Sequence, residues 1–68
     1  MIEQNDVVKA NKTLSNEIVK GTEGVVLYVF DNGEAYLIEF IDKNGNTIGQ
    51  GMETVKKEDI DLLIKVKK

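Results

Sequence analysis

Glu58, Asp59 and Asp61 fall within four consecutive positions. Carboxylates so close together are what a metal site or an acid–base pair would use. A calcium loop places oxygen ligands at alternating positions with a glycine at its sharp turn, and that spacing is missing here. Acid–base catalysis needs a carboxyl tuned by burial beside a pocket, for which so short a chain has little room. The expected reading is a solvated helical turn with Glu58 and Asp59 near its start, where negative side chains complement the helix dipole.

Other chemistries find fewer parts. The chain has no cysteine and no histidine. Disulfides are excluded, as are zinc, haem and iron–sulfur sites that rely on those ligands, and no cofactor is expected. Ser15 is the only serine, and Thr13, Thr22, Thr47 and Thr54 have no base to activate them. Gly21 and Gly24 could suggest a phosphate loop. Such a loop runs through Gly-Lys-Ser/Thr into a helix, whereas Gly24 precedes a β-type run, so turn geometry is expected of both. An enzyme is not expected.

Charge points towards binding. Nine cations against twelve acids leave −3, and every cation is lysine. Arginine is the usual residue for bidentate phosphate and base recognition, so its absence lowers the expectation of nucleic-acid binding. Lysines gathered on one face would restore it, with Tyr28, Phe30, Tyr36 and Phe40 as stacking candidates if exposed. Core packing is the expected role of these aromatics, and a solvated, frayed end that of the C-terminal lysines. Of the acids, Glu34, Glu39, Glu53 and Asp59 are chosen by expected exposure as partner-binding candidates. A negative patch of this kind steers association with a basic partner. An ordinary solvated surface is the alternative.

The elements that position these residues follow from breaker signals and periodicity. At 68 residues the chain is one domain with a thin core, since a domain of this length buries only about 60% of its unfolded surface. Residues 6–10 read as a first strand. Residues 12–20 read as a long loop whose Leu14, Ile18 and Val19 tuck under the sheet. Residues 24–30 are apolar without interruption, with Val26, Tyr28 and Phe30 on one face and Val25, Leu27 and Val29 on the other. Such a strand is expected to be buried on both faces.

Asn32-Gly33 predicts a type I′ hairpin. The following strand, 34–42, alternates Tyr36, Ile38 and Phe40 against Leu37, Glu39 and Ile41. Asn44-Gly45 predicts a second hairpin. Strand 47–55 contains Gly49 and Gly51, which mark a bulge or a corner. A single helical turn at 56–59 leads to a fifth strand, 61–66, with Leu62, Ile64 and Val66 on one face. The architecture expected is mainly β: a small five-stranded SH3-like barrel over about 6–66, with one short helical turn before the last strand. The alternative is an open sheet with a helix over 12–20.

Asp6-Val7-Val8, Lys20-Gly21-Thr22-Glu23-Gly24-Val25-Val26, Gly33-Glu34-Ala35-Tyr36-Leu37-Ile38-Glu39-Phe40 and Asp42-Lys43-Asn44-Gly45 together resemble a family of small bacterial SH3-like domains, the domain of unknown function 4926. The resemblance spans about 6–63. It departs from the family where a proline common between the first two strands gives way to Leu14-Ser15-Asn16-Glu17, and the tail 65–68 lies outside the motif. Members tend to be encoded beside toxins, which implies neutralisation by binding. No catalytic residue is established for the family, so none carries over.

The function expected is that of a non-enzymatic antitoxin or immunity protein that binds a bacterial toxin directly. The alternative is a KOW-like module binding RNA or a ribonucleoprotein, and a third reading is an accessory subunit docking by its sheet edge. Self-association is left open. No apolar run approaches the roughly 20 residues that cross a membrane, and the polar residues 1–6 lack the apolar core of a targeting segment, so a soluble cytoplasmic protein is expected.

Overall fold

A computed structural model of the chain describes residues 1–67. Five strands form one antiparallel sheet: β1 (Val7–Ala10), β2 (Glu23–Phe30), β3 (Ala35–Ile41), β4 (Thr47–Lys56) and β5 (Ile60–Ile64). A 3-10 turn, Lys57–Asp59, precedes β5 as expected. The order across the sheet is β4-β3-β2-β1-β5. No ladder joins β4 to β5 among the described residues, so the hydrogen-bonded sheet is open.

Alternation along β3 sets the two faces. Tyr36, Ile38 and Phe40 point to one face and are buried, and this inner face carries the core. Val8 and Ala10 from β1, Val26 from β2, Val55 from β4 and Ile60 from β5 join them. Ile18 from the loop 11–22 closes the core from beneath, completely buried, with Leu14 packed beside it. That loop contains no helix. Its turn is tied instead by the Leu14 N–H on the Ile18 carbonyl at 2.8 Å and the Ile18 N–H on the Ser15 hydroxyl at 3.1 Å. Val19 does not tuck under the sheet and stands half exposed, because one short turn cannot bring neighbouring side chains to the same face.

The uninterrupted apolar run of β2 is not buried on both faces. Val26 lies opposite Ile38 but Tyr28 lies opposite Leu37, so Leu27 is an extra residue in the ladder. A bulge shifts the alternation by one. Beyond it Val29 joins Tyr36 on the inner side, and Tyr28 turns outward with 55% of its surface exposed. Tyr28 and Phe30 meet edge to face there, with ring centroids 5.0 Å apart. The four aromatics therefore divide between faces instead of sharing one.

Gly24 also differs from expectation, since it lies within β2 and makes no turn. A Cβ on it would meet Ile38 Cγ2 at 2.6 Å and the Phe40 ring at 3.1 Å, so glycine is what lets β3 side chains cross over the strand. Gly21, at φ 94°, does serve a turn.

The connection after β2 is not a two-residue type I′ turn. Phe30 pairs with Ala35, and Asp31, Asn32 and Gly33 are all at positive φ in a single 3-10 turn. The 42–46 hairpin forms as expected, with Gly45 at φ 83° and the Asp42 carboxylate accepting the N–H groups of Asn44 and Asn46, both at 2.9 Å. Along β4 the partner of Glu39 is Met52 and that of Ile41 is Thr47, so β4 moves five residues while β3 moves two. Gly49 at φ 71° and Gly51 at φ 99° sit in that irregular stretch, as glycines inside a strand predict.

In β5, Leu62 faces Val8 and Ile64 faces Val7, so Leu63 is a further bulge. The expected common face of Leu62, Ile64 and Val66 is thereby broken.

Candidate functional site

The four acidic candidates do not converge. Glu34 is exposed in the loop after β2 and pairs with Lys57 at 3.0 Å, where the hydrogen bond that the ammonium donates to the Glu34 carboxylate raises the lysine's pKa. Asp59, expected to be exposed, has only 17% of its side chain accessible and pairs with Lys12 at 3.0 Å. Glu53 lies opposite Ile38 on the inner side of β4, half-buried beside Gly49. Glu39 lies on the outer side of β3, opposite both Val25 and Met52.

Two carboxylates near the 3-10 turn are tied to the long loop, Asp59 by Lys12 and Asp61 by Asn11. Asn11 holds that turn: its N–H donates to the Asp59 carbonyl at 2.9 Å, and its amide donates to the Glu58 carbonyl at 2.9 Å and the Asp61 carboxylate at 3.2 Å. The long loop and the last strand are pinned together by this one side chain. Among the described residues no group of three acidic side chains is arranged to hold a metal ion.

Lysines are dispersed. Lys12 is committed to Asp59, Lys57 to Glu34, and Lys65 to Glu3 and Asp6. Lys20 and Lys43 border a shallow cleft between the end of the long loop and the 42–46 hairpin, floored by Val19, Ile41 and Ile48.

Sequence reasoning missed the polar centre of the fold. Asp6 is completely buried. Its Oδ2 accepts the Glu3 N–H at 2.7 Å and the Lys65 ammonium at 2.8 Å, and its Oδ1 accepts the Val66 N–H at 2.8 Å. Burial pushes this carboxyl's pKa up. The Lys65 ammonium and the two backbone N–H groups outweigh that and hold it at about 2. Lys65, expected to fray in solvent, is thus tied to the core, while Lys68 lies outside the described residues. An acid directly ahead of an apolar strand was the sole signal for Asp6, and it names no partner.

The outer side is mixed: exposed Lys9, Glu23, Thr54, Lys56 and Asp61 share it with apolar side chains. One line of paired residues runs across all five strands: Ile64 opposite Val7, Val7 opposite Val25, Val25 opposite Glu39, Glu39 opposite Met52. Ile64 and Met52 are 59% and 61% exposed, and Tyr28 lies nearby on the same side opposite Leu37.

Fold and surface together define a small five-stranded antiparallel β domain with exposed apolar side chains on its outer face and a buried, hydrogen-bonded aspartate. The chain belongs to the family described as Domain of unknown function (DUF4926), whose model matches residues 4–62. The matched region includes Asp6 and stops before the Lys65 and Val66 that satisfy it. No curated protein and no solved structure matches the chain. No helix among the described residues is long and apolar enough to cross a membrane.

Proposed function

We propose that this domain acts by covering part of another protein, as an antitoxin or immunity protein that neutralises a bacterial toxin in the cytoplasm. The observation that carries the reading is the exposure of three large apolar side chains, Tyr28, Met52 and Ile64, on the outer face of three different strands. Apolar side chains fixed on a sheet are a ready surface for a protein partner. The commitment of Lys12, Lys57 and Lys65 to separate ion pairs weighs against the RNA-binding alternative, which needs one continuous basic surface.

The same reading takes the architecture to be an SH3-like barrel. In its favour are the strand order, the long loop between β1 and β2, and the 3-10 turn ahead of β5. Bulges at Leu27 and Leu63 and the irregular stretch of β4 add the local twist that curls a sheet towards closure.

The test is co-expression with the product of the neighbouring reading frame. Restored growth and a complex that survives purification are expected. Toxin activity unchanged by an excess of the purified domain overturns the proposal.

A further inference from the structure

Two Asn-Gly pairs, Asn32-Gly33 and Asn44-Gly45, carry the same latent chemistry. Once the glycine nitrogen has given its proton to water, it can attack Cγ of the asparagine. The N–Cγ bond forms and the Cγ–Nδ2 bond breaks. The side-chain nitrogen takes up a proton from water and leaves as ammonia, closing a five-membered succinimide. Water then opens that ring at either carbonyl to give aspartate or isoaspartate. The nitrogen reaches Cγ only when it swings to the side of the Cα–C bond that carries Cβ, at a ψ of about −120°, outside the allowed backbone regions. Neither asparagine can react from a regular backbone conformation, so the rate follows how readily each loop opens.

The fold fastens the two loops differently. Asn32 sits at φ 58° and ψ 32°, with the Gly33 nitrogen turned well away from its Cβ. Gly33 is buried against the Tyr36 hydroxyl. The Glu34 carbonyl accepts the Lys57 N–H at 3.1 Å, and its carboxylate accepts the Lys57 ammonium at 3.0 Å, so this loop is tied to the turn ahead of β5. Residues 42–46, by contrast, are all exposed. Among the described residues, the hydrogen bonds of 43–46 all end on Asp42, and none ties the tip to the body of the domain. Behind the tip, Ile41 pairs with Thr47, and the next paired residues are Glu39 and Met52. An exposed tip that lies one pair from a break in its ladder opens at low cost.

From this we infer that Asn44 is a site of spontaneous covalent modification, deamidation with water as the only co-reactant, and that the fold protects Asn32. The change adds one negative charge beside Lys43, at the border of the cleft floored by Val19, Ile41 and Ile48. As isoaspartate it also lengthens the main chain by one methylene, inside a turn whose N–H groups at 44 and 46 share the Asp42 carboxylate. The border of that cleft therefore changes as the chain ages.

The test is peptide mapping by mass spectrometry of the full chain aged in mildly alkaline buffer, both folded and in urea, with fragmentation that separates aspartate from isoaspartate. In the folded chain Asn44 is expected to convert on the order of tenfold faster than Asn32, and in urea the two rates should come together. Asp42→Ala frees the N–H groups of the hairpin and is expected to speed conversion at Asn44. The Asn32 rate should stay as it is in that variant, which shows that the rest of the fold is intact. Loss at Asn44 no faster than at Asn32 in the folded chain overturns the assignment. So does a preference for Asn44 of the same size in urea, which would place the selection in the sequence and not in the fold. An Asn44 rate untouched by Asp42→Ala also overturns it, since opening of the hairpin would then not govern the attack.

Discussion

The ammonium of Lys65 lies 2.8 Å from Oδ2 of Asp6, a contact between residues 59 positions apart that joins the two ends of the chain inside the fold. The Val66 N–H donates to the other oxygen. A carboxylate with no exposed surface is tolerable only because each of its oxygens has a donor. The C-terminal segment therefore belongs to the folding unit, although it follows the last strand.

Removing the carboxylate should be severe. Asp6→Ala leaves two backbone N–H groups and an ammonium without their acceptor, and a loss of about 3 kcal/mol is expected from such changes. For a domain this small that is a large share of the total. Lys65→Met should cost less, since Lys65 is 43% exposed and the Glu3 and Val66 N–H groups remain. Urea denaturation of both variants checks the order. Equal midpoints for Asp6→Ala and wild type would mean the buried network does not hold the fold.

Stability should also depend on pH in a defined direction. The Asp6 carboxyl titrates at about 2 in the folded chain, against an ordinary value of 3.8. A depressed folded pKa means the charged form is favoured by folding. Its contribution, about 2 kcal/mol, is complete above the unfolded value and disappears as pH falls from about 4 towards 2. Melting curves of wild type and Asp6→Asn between pH 6 and pH 2 should converge at the acid end. Parallel curves throughout would contradict this.

Gly24 and Gly21 should respond to alanine for different reasons. At Gly24 the new methyl would press on Ile38 and Phe40, and about 2 kcal/mol of overpacking is expected. At Gly21 nothing lies within 4 Å, and the cost, about 1 kcal/mol, comes only from the positive φ. A crystal structure or NMR spectrum of Gly24→Ala should show displacement at Phe40, while Gly21→Ala leaves the core unchanged.

The bulge at Leu27 makes two tyrosines unequal. Tyr36→Ala empties a buried site and should cost about 3–5 kcal/mol. Tyr28→Ala removes only an exposed ring and its edge contact with Phe30, for about 1 kcal/mol or less. Thermal unfolding of the pair distinguishes this from regular alternation, which would have put Tyr28 opposite Tyr36 on the inner face and made the costs similar.

Most of the strand positions were legible because period-2 alternation is a local property. Tyr36, Ile38 and Phe40 announce the inner face of β3 in the order of residues alone. The turn at Asn44-Gly45, the irregular stretch at Gly49 and Gly51, and the 3-10 turn before β5 follow from residue types with restricted or permissive backbone geometry. For the same reason the lack of cysteine, histidine and arginine bounded the chemistry without reference to shape, and the residues themselves pointed to the family that the chain belongs to.

What the order of residues did not contain is anything set by a partner across the sheet. A run such as 25–30 is apolar throughout, so nothing local says where one extra residue will be inserted. The ladder with β3 places it at Leu27 and thereby sends Tyr28 outward. Exposure of acids is likewise decided by neighbours: the fold gives Glu34 and Asp59 their lysines, turns Glu53 inward and gives Glu39 the hydroxyl of Thr47. Asp6 and Lys65 show the same limit at its widest. Local pattern determines which residues can form strands, but only the closed packing of distant segments determines which charges are buried and what satisfies them.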